Sequence, residues 1–222
     1  MVELAQPKSS DRLLDLATGG GHVARVFGPH VAEVVATDLT PEILAHAAAY
    51  FADQDLVNVT TAIADAEAIP FDDASFDLVT CRIAPHHFPD PGAFVREVAR
   101  VLRSGGRFVL VDSTVPDGEA GAFYNAFETV RDPSHVRSLT IAEWTDLIDM
   151  AGLTLLHAET FTKRHDFLDW TSRSRMSDAD RDRLERMMLE ADPGIREQFA
   201  PEIVDGRLVA FADTKTLFIS LA

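Results

Sequence analysis

Cysteine is nearly missing from this chain: a single thiol, Cys81, excludes any intrachain disulfide and leaves no thiolate cluster for a structural metal. Nothing in the composition therefore calls for an oxidising compartment, and a cytoplasmic protein is expected. Positive charge is scarce as well. Lys and Arg together number 20 against 36 Asp and Glu, a formal net charge of −16, which excludes the basic footprint that a phosphate backbone requires. No apolar run approaches the length of a membrane span, and Met1 to Ser10 holds no basic segment followed by an apolar one. What remains is a chain of 222 residues, 46% hydrophobic and 25% charged, balanced as one soluble α/β domain over residues 1–222 whose partner is a small molecule. Oligomeric state is not written in this sequence.

Apolar runs alternate with helical patterns along the first two thirds of the chain. Leu13 to Ala17 reads as a strand that ends in glycines, and Val23, Val26 and Phe27 then recur at helical spacing. Val31 to Thr37 is a second strand, ending at Asp38, and Thr40-Pro41-Glu42 opens a helix after it. Further strands are expected at Val57 to Ala64, Phe76 to Cys81 and Gly106 to Asp112, with a helix over Phe94 to Leu102. Ile141 to Ala151 reads as a helix stopped by Gly152, followed by a strand over Leu153 to Glu159. Such alternation predicts a doubly wound, mostly parallel sheet of seven strands covered by helices on both faces. Residues 11–160 form the expected core. Phe167 to Arg175 and Ser177 to Ala191 look helical, so 161–200 reads as a helical insertion before a final strand region over 201–222, with Thr216 to Leu221 as its strand.

The chemistry concentrates where the first strand meets its glycines, in Asp15-Leu16-Ala17-Thr18-Gly19-Gly20-Gly21. A strand running into glycines at a helix start gathers backbone N–H groups at one point and lets a ligand approach the main chain. Gly19, Gly21 and Ala24 also satisfy the dinucleotide pattern, so the loop alone does not name the ligand. Asp38, about twenty residues on, stands where an acid accepts both ribose hydroxyls. Loop and acid together point to an adenosine-bearing cofactor.

Four ordered blocks then resemble the class I S-adenosylmethionine-dependent methyltransferases, in the ubiquinone/menaquinone-biosynthesis-like branch (methyltransferase type 11): LLDLATGGGHVA, VVATDLTPEIL, IADAEAIPFDDASFDLVTCRIAPHHF and VREVARVLRSGGRFVLVDS. The resemblance runs over residues 11 to 112. It implies the Rossmann-like fold of that family and S-adenosylmethionine as methyl donor. It further implies that Asp15, Ala17, Thr18, Gly19, Gly20 and Gly21 hold the methionine part and Asp38 the ribose. Leu39 then packs on the adenine, Asp65 and Ala66 bind its edge, and Arg82 lines the pocket near the sulfonium. Two departures stand out: Ala17 replaces the more general glycine, and about ten residues precede the first strand where relatives carry a longer helical segment.

Methyl transfer from sulfur is an in-line displacement, so alignment supplies most of the catalysis, and a base is needed only where the acceptor must lose a proton. His86 and His87 follow the fourth strand, at the carboxyl edge where open α/β sheets bind ligands, and an unperturbed imidazole titrates close to neutral pH. They are the candidate catalytic residues, as base or substrate orienter, against the plainer reading of packed structural histidines. His165, Asp166, Phe161, Phe167 and Trp170 either wall an acceptor pocket or belong to the core of the insertion. The histidines lack the carboxylate or cysteine spacing of a metal site, so no metal is expected. A nicotinamide-dependent oxidoreductase shares the loop and the acid; its short-chain form resembles a family with Tyr and Lys four residues apart. Here Tyr50 and Tyr124 are followed at that spacing by Gln54 and Glu128, and Lys8, Lys163 and Lys215 lie elsewhere. A donor-binding protein without turnover is the other alternative.

Overall fold

A computed structural model describes all 222 residues. In chain order it contains α1 (Val2–Ala5), β1 (Arg12–Leu16), α2 (His22–Phe27), β2 (Glu33–Asp38), α3 (Pro41–Asp53), β3 (Val59–Ile63), β4 (Phe76–Arg82), α4 (Pro91–Val101) and β5 (Leu102–Thr114). There follow α5 (Glu119–Arg131), α6 (Ile141–Met150), β6 (Thr154–Asp166), α7 (Phe167–Ser172), α8 (Asp178–Glu190), α9 (Pro193–Phe199), β7 (Glu202–Val204) and β8 (Arg207–Leu221). The strands line up as β3-β2-β1-β4-β5-β8-β6, with the short β7 added to β8 as an antiparallel hairpin arm. The pairs β2–β3, β1–β2, β1–β4 and β4–β5 are all parallel, so the mostly parallel α/β sheet expected from the sequence is the sheet observed.

The chain divides into two compact units. The first comprises residues 1–112, 142–159 and 217–222. Its central strands β1, β2, β4 and β5 read as apolar runs because they are covered on both sides, whereas β3 is largely exposed. On one side, Leu13, Val34 and Leu78 from the sheet pack against Ala24 and Phe27 of α2 and Ala47 and Phe51 of α3. On the other, Phe94 of α4 meets Phe108 and Trp144 edge-on, with ring centroids 5.7 and 6.5 Å apart. Helix α4 shows why its residues fold locally: Asp90 caps the first turn by accepting from Ala93 N–H at 2.8 Å, Pro91 opens it, and Phe94, Val95, Val98 and Val101 form a buried stripe at helical spacing. The order β3-β2-β1-β4 then sets the carboxyl ends of four parallel strands side by side.

The second unit comprises residues 113–141 and 160–216, so the 161–200 stretch read as an insertion shares its core with α5. Phe127 of α5 stacks on Trp170 at 5.4 Å, and Phe211 packs edge-on to both. Ser177 caps α8 by accepting from Asp180 N–H. Several elements exceed their expected bounds: β6 continues to Asp166, and β8 begins at Arg207 rather than at Thr216. Three helices, α1, α5 and α9, stand where the sequence reading placed none.

Candidate active site

The carboxyl end of β1 leads into a loop whose geometry few residues tolerate. Ala17, Gly19 and Gly21 all take positive φ, at 51°, 53° and 78°, and such a run is accessible mainly to glycine. The two glycines serve different ends. A Cβ on Gly21 would fall 2.3 Å from the Phe51 ring, so this position is needed for packing against α3, whereas a Cβ on Gly19 would meet nothing within 4 Å and would occupy open space above the loop. That space belongs to a cavity of about 250 Å³ lined in part by Asp15, Ala17, Thr18, Gly20, Arg82 and Ile83.

Asp15 is the internal brace of this loop. It is 1% exposed, and both carboxylate oxygens accept hydroxyl protons, from Thr18 at 2.7 Å and from Thr80 at 2.8 Å. Burial raises its pKa to about 6, because the hydroxyl bonds of Thr18 and Thr80, the Ala24 backbone N–H and the more distant charge of Arg82 offset only part of the desolvation. Asp38, at the end of β2, accepts Gly19 N–H at 3.2 Å through one oxygen and Thr40 N–H at 3.1 Å through the other. It therefore fixes both the glycine loop and the entry to α3, and each oxygen keeps a second lone pair. Leu39 beside it is 64% exposed, a large apolar face turned to solvent next to a polar cleft. Beyond β3, Asp65 accepts Glu67 N–H at 2.9 Å in a tight turn and Ala66 is buried. Asp65 and Ala66, Asp38 and Leu39, the 15–21 loop and Arg82 thus follow one another along adjacent strand ends.

The end of β4 supplies two features the sequence reading missed. Ile83 has φ of 54°, a backbone outlier for a β-branched residue, held by its N–H donating to the Val111 carbonyl at 2.7 Å. His86 is buried, and its Nδ1 lies 2.6 Å from Asp112 Oδ1 at the end of the neighbouring β5. His87 is half-buried beside it, with ring centroids 4.2 Å apart. Thr80 and His22, which also lines the loop cavity, were likewise not singled out. Only the parallel register of β1, β4 and β5 brings these partners together; in sequence, Asp112 stands 26 residues from His86. No three His, Cys, Asp or Glu side chains come close enough to hold a metal ion, and no helix is long and apolar enough to cross a membrane.

The second-unit residues considered as acceptor walls have differing surroundings. Phe167 and Trp170 are core, Asp166 caps α7 by accepting Asp169 N–H at 2.9 Å, and Phe161 is 48% exposed. His165 is buried, 3.1 Å from Asp213.

Comparison with known proteins agrees with this geometry. Residues 14–110 match the family model described as a methyltransferase domain. The uncharacterized methyltransferase YcgJ of Bacillus subtilis is 37% identical over 174 residues, covering 78% of this chain and 69% of that protein. The crystal structure of YcgJ superposes with a TM-score of 0.97 at 31% identity, over 100% of this chain and 95% of that one. The demethylmenaquinone methyltransferase of Thermus thermophilus is 38% identical over 129 residues, 57% of this chain and 58% of that protein. With a glycine loop beside an open cavity, a carboxylate ending the adjacent strand, and relatives of this identity and coverage, the chain belongs to the class I S-adenosylmethionine-dependent methyltransferases.

Proposed function

We propose that this protein transfers the methyl group of S-adenosylmethionine to a small-molecule acceptor, with His86 taking the acceptor's proton when the acceptor is a hydroxyl or phenol. The observation that carries the donor half is the row of groups along four adjacent strand ends, which matches an elongated adenine–ribose–methionine ligand in order. Gly19, with open space where a Cβ would stand, and the remaining lone pairs of Asp38 fit such a ligand. When bound, the donor supplies an electrophilic methyl carbon on a sulfonium, so alignment does most of the work. The Asp112 carboxylate holds the imidazole in the tautomer with the proton on Nδ1, which leaves the basic lone pair on Nε2. Asp112 is in this reading a positioning residue.

The test has two arms. S-adenosylhomocysteine should raise the melting temperature and NAD should not, and Asp38→Ala should weaken donor binding about tenfold or more by calorimetry, through loss of charge-assisted bonds. Unchanged affinity would reduce Asp38 to a brace of the loop. With an acceptor found by a labelled-donor screen of phenols, quinols, carboxylic acids and amines, His86→Gln should cost about 10²–10⁴ in turnover with donor affinity within a few-fold. Wild-type turnover in both His86→Gln and Asp112→Asn would mean that the pair is structural and that proximity alone drives transfer.

A further inference from the structure

The second unit contains a cavity of its own, built on a buried ionic cluster that the donor site does not use. It measures about 210 Å³ and is walled by Val115, Pro116, Ile141 and Phe199, with Tyr124 and Asp213 among its polar lining. Asp213 is 3% exposed, and its two oxygens are treated very differently. Oδ2 accepts from the Lys215 ammonium at 2.8 Å and the Tyr124 hydroxyl at 2.7 Å, and the His165 Nε2 lies 3.1 Å from it without a hydrogen bond. Oδ1 is buried and has no hydrogen-bond partner. Burying a carboxylate oxygen without a donor is unfavourable, so such an atom beside a cavity points to a ligand that supplies one.

Charge selects among donors. Glu128 faces Arg131 at 2.8 Å and Asp213 faces Lys215, so the acids and bases at the base of the cavity are already matched. A cationic ligand meets Lys215 and His165 behind the carboxylate, while an anionic one meets Asp213 itself. The single proton of Tyr124 lies between Asp213 Oδ2 and Glu128 Oε1, at 2.7 and 2.9 Å, and is committed to them. We infer that this cavity binds a small neutral molecule with a hydroxyl group on an apolar body, the hydroxyl donating to Asp213 Oδ1 and the body lying against Phe199 and the aliphatic wall. The inference is independent of the donor reading, since it concerns the second unit alone.

Four probes of one shape test it on the full chain: benzyl alcohol, benzaldehyde, benzoate and benzylammonium, titrated by ligand-observed NMR. Benzyl alcohol should bind about tenfold or more tightly than benzaldehyde, which offers no donor to the carboxylate, and should outrank both charged analogues. Ile141→Trp, which fills the cavity and leaves the cluster intact, should abolish that binding. In Asp213→Asn the two donors on Oδ2, Lys215 and Tyr124, hold the amide oxygen and turn the NH₂ toward the cavity, so benzaldehyde should gain on benzyl alcohol. Should that variant fail to fold, Ile141→Trp and the alcohol–aldehyde pair still decide. Equal binding of alcohol and aldehyde, no binding of either, preference for benzylammonium, or an Ile141→Trp protein that still binds the alcohol each overturn the inference.

Discussion

Asp15 in the first unit and Asp213 in the second are the same residue type, both all but sealed from solvent, and their pKa values move in opposite directions. Asp15 is raised to about 6 and Asp213 is lowered to about 2, from a common reference of 3.8. Burial pushes both upward. Around Asp15 the answering groups are chiefly neutral, the hydroxyls of Thr18 and Thr80 and the Ala24 backbone N–H, with Arg82 the weakest contributor, and they do not repay the cost of a buried charge. Around Asp213 they are the imidazole of His165 and the ammonium of Lys215, which more than repay it. Depth therefore does not set the protonation state; the formal charge of the neighbours does.

The strongest way to break this contrast is to remove the cation. Lys215→Met should destabilise the protein by about 3–5 kcal/mol, because it leaves Asp213 buried without its main counter-charge; denaturant unfolding at pH 7 measures it, and a loss under 1 kcal/mol would show that His165 suffices. Next in size is Asp15. Its folded pKa lies above the unfolded value, so the folded state holds a proton that the unfolded state has released between roughly pH 4 and 6, and stability falls by up to about 3 kcal/mol as pH rises through that window. Asp15→Asn should abolish this fall, so the two stability curves should diverge from pH 4 and run parallel above 6; curves parallel throughout refute the shift. Asp213 acts with the opposite sign. Its contribution is complete above the unfolded pKa and is lost as pH drops toward 2, by about 2 kcal/mol. The smallest stability effect belongs to Gly19→Ala, about 1 kcal/mol for placing a Cβ at φ 53°, yet donor affinity should collapse, since the new methyl enters the open space above the loop. Calorimetry that finds donor affinity unchanged would place the ligand elsewhere.

Much of this was readable in sequence where the signal is local. The β1 run, its glycines and Asp38 lie within a few turns of chain, and the parallel sheet follows from apolar runs alternating with helical stripes. What escaped was non-local. Helix α5 has Gly118 before it and Gly121 within it, a residue type that weakens helices; Gly121 is needed because a Cβ there would fall 2.2 Å from the Pro116 carbonyl. Strand β8 was read only from Thr216 because Asp213 and Lys215 look like loop residues until each is seen to neutralise the other indoors. Asp112 gave no hint of His86, since only the register of two parallel strands unites them.

The way the glycine loop is tied down has a consequence for the thermodynamics of the proposed binding. Thr18 N–H donates to the Thr37 carbonyl at 2.7 Å, Gly21 N–H to Thr18 at 3.0 Å, and Gly19 N–H to Asp38, while the Phe51 ring fills the place a side chain on Gly21 would take. The loop holds its shape through its own bonds and packing. An incoming ligand accordingly spends little of its interaction energy on ordering the main chain, and the entropy it loses is chiefly its own.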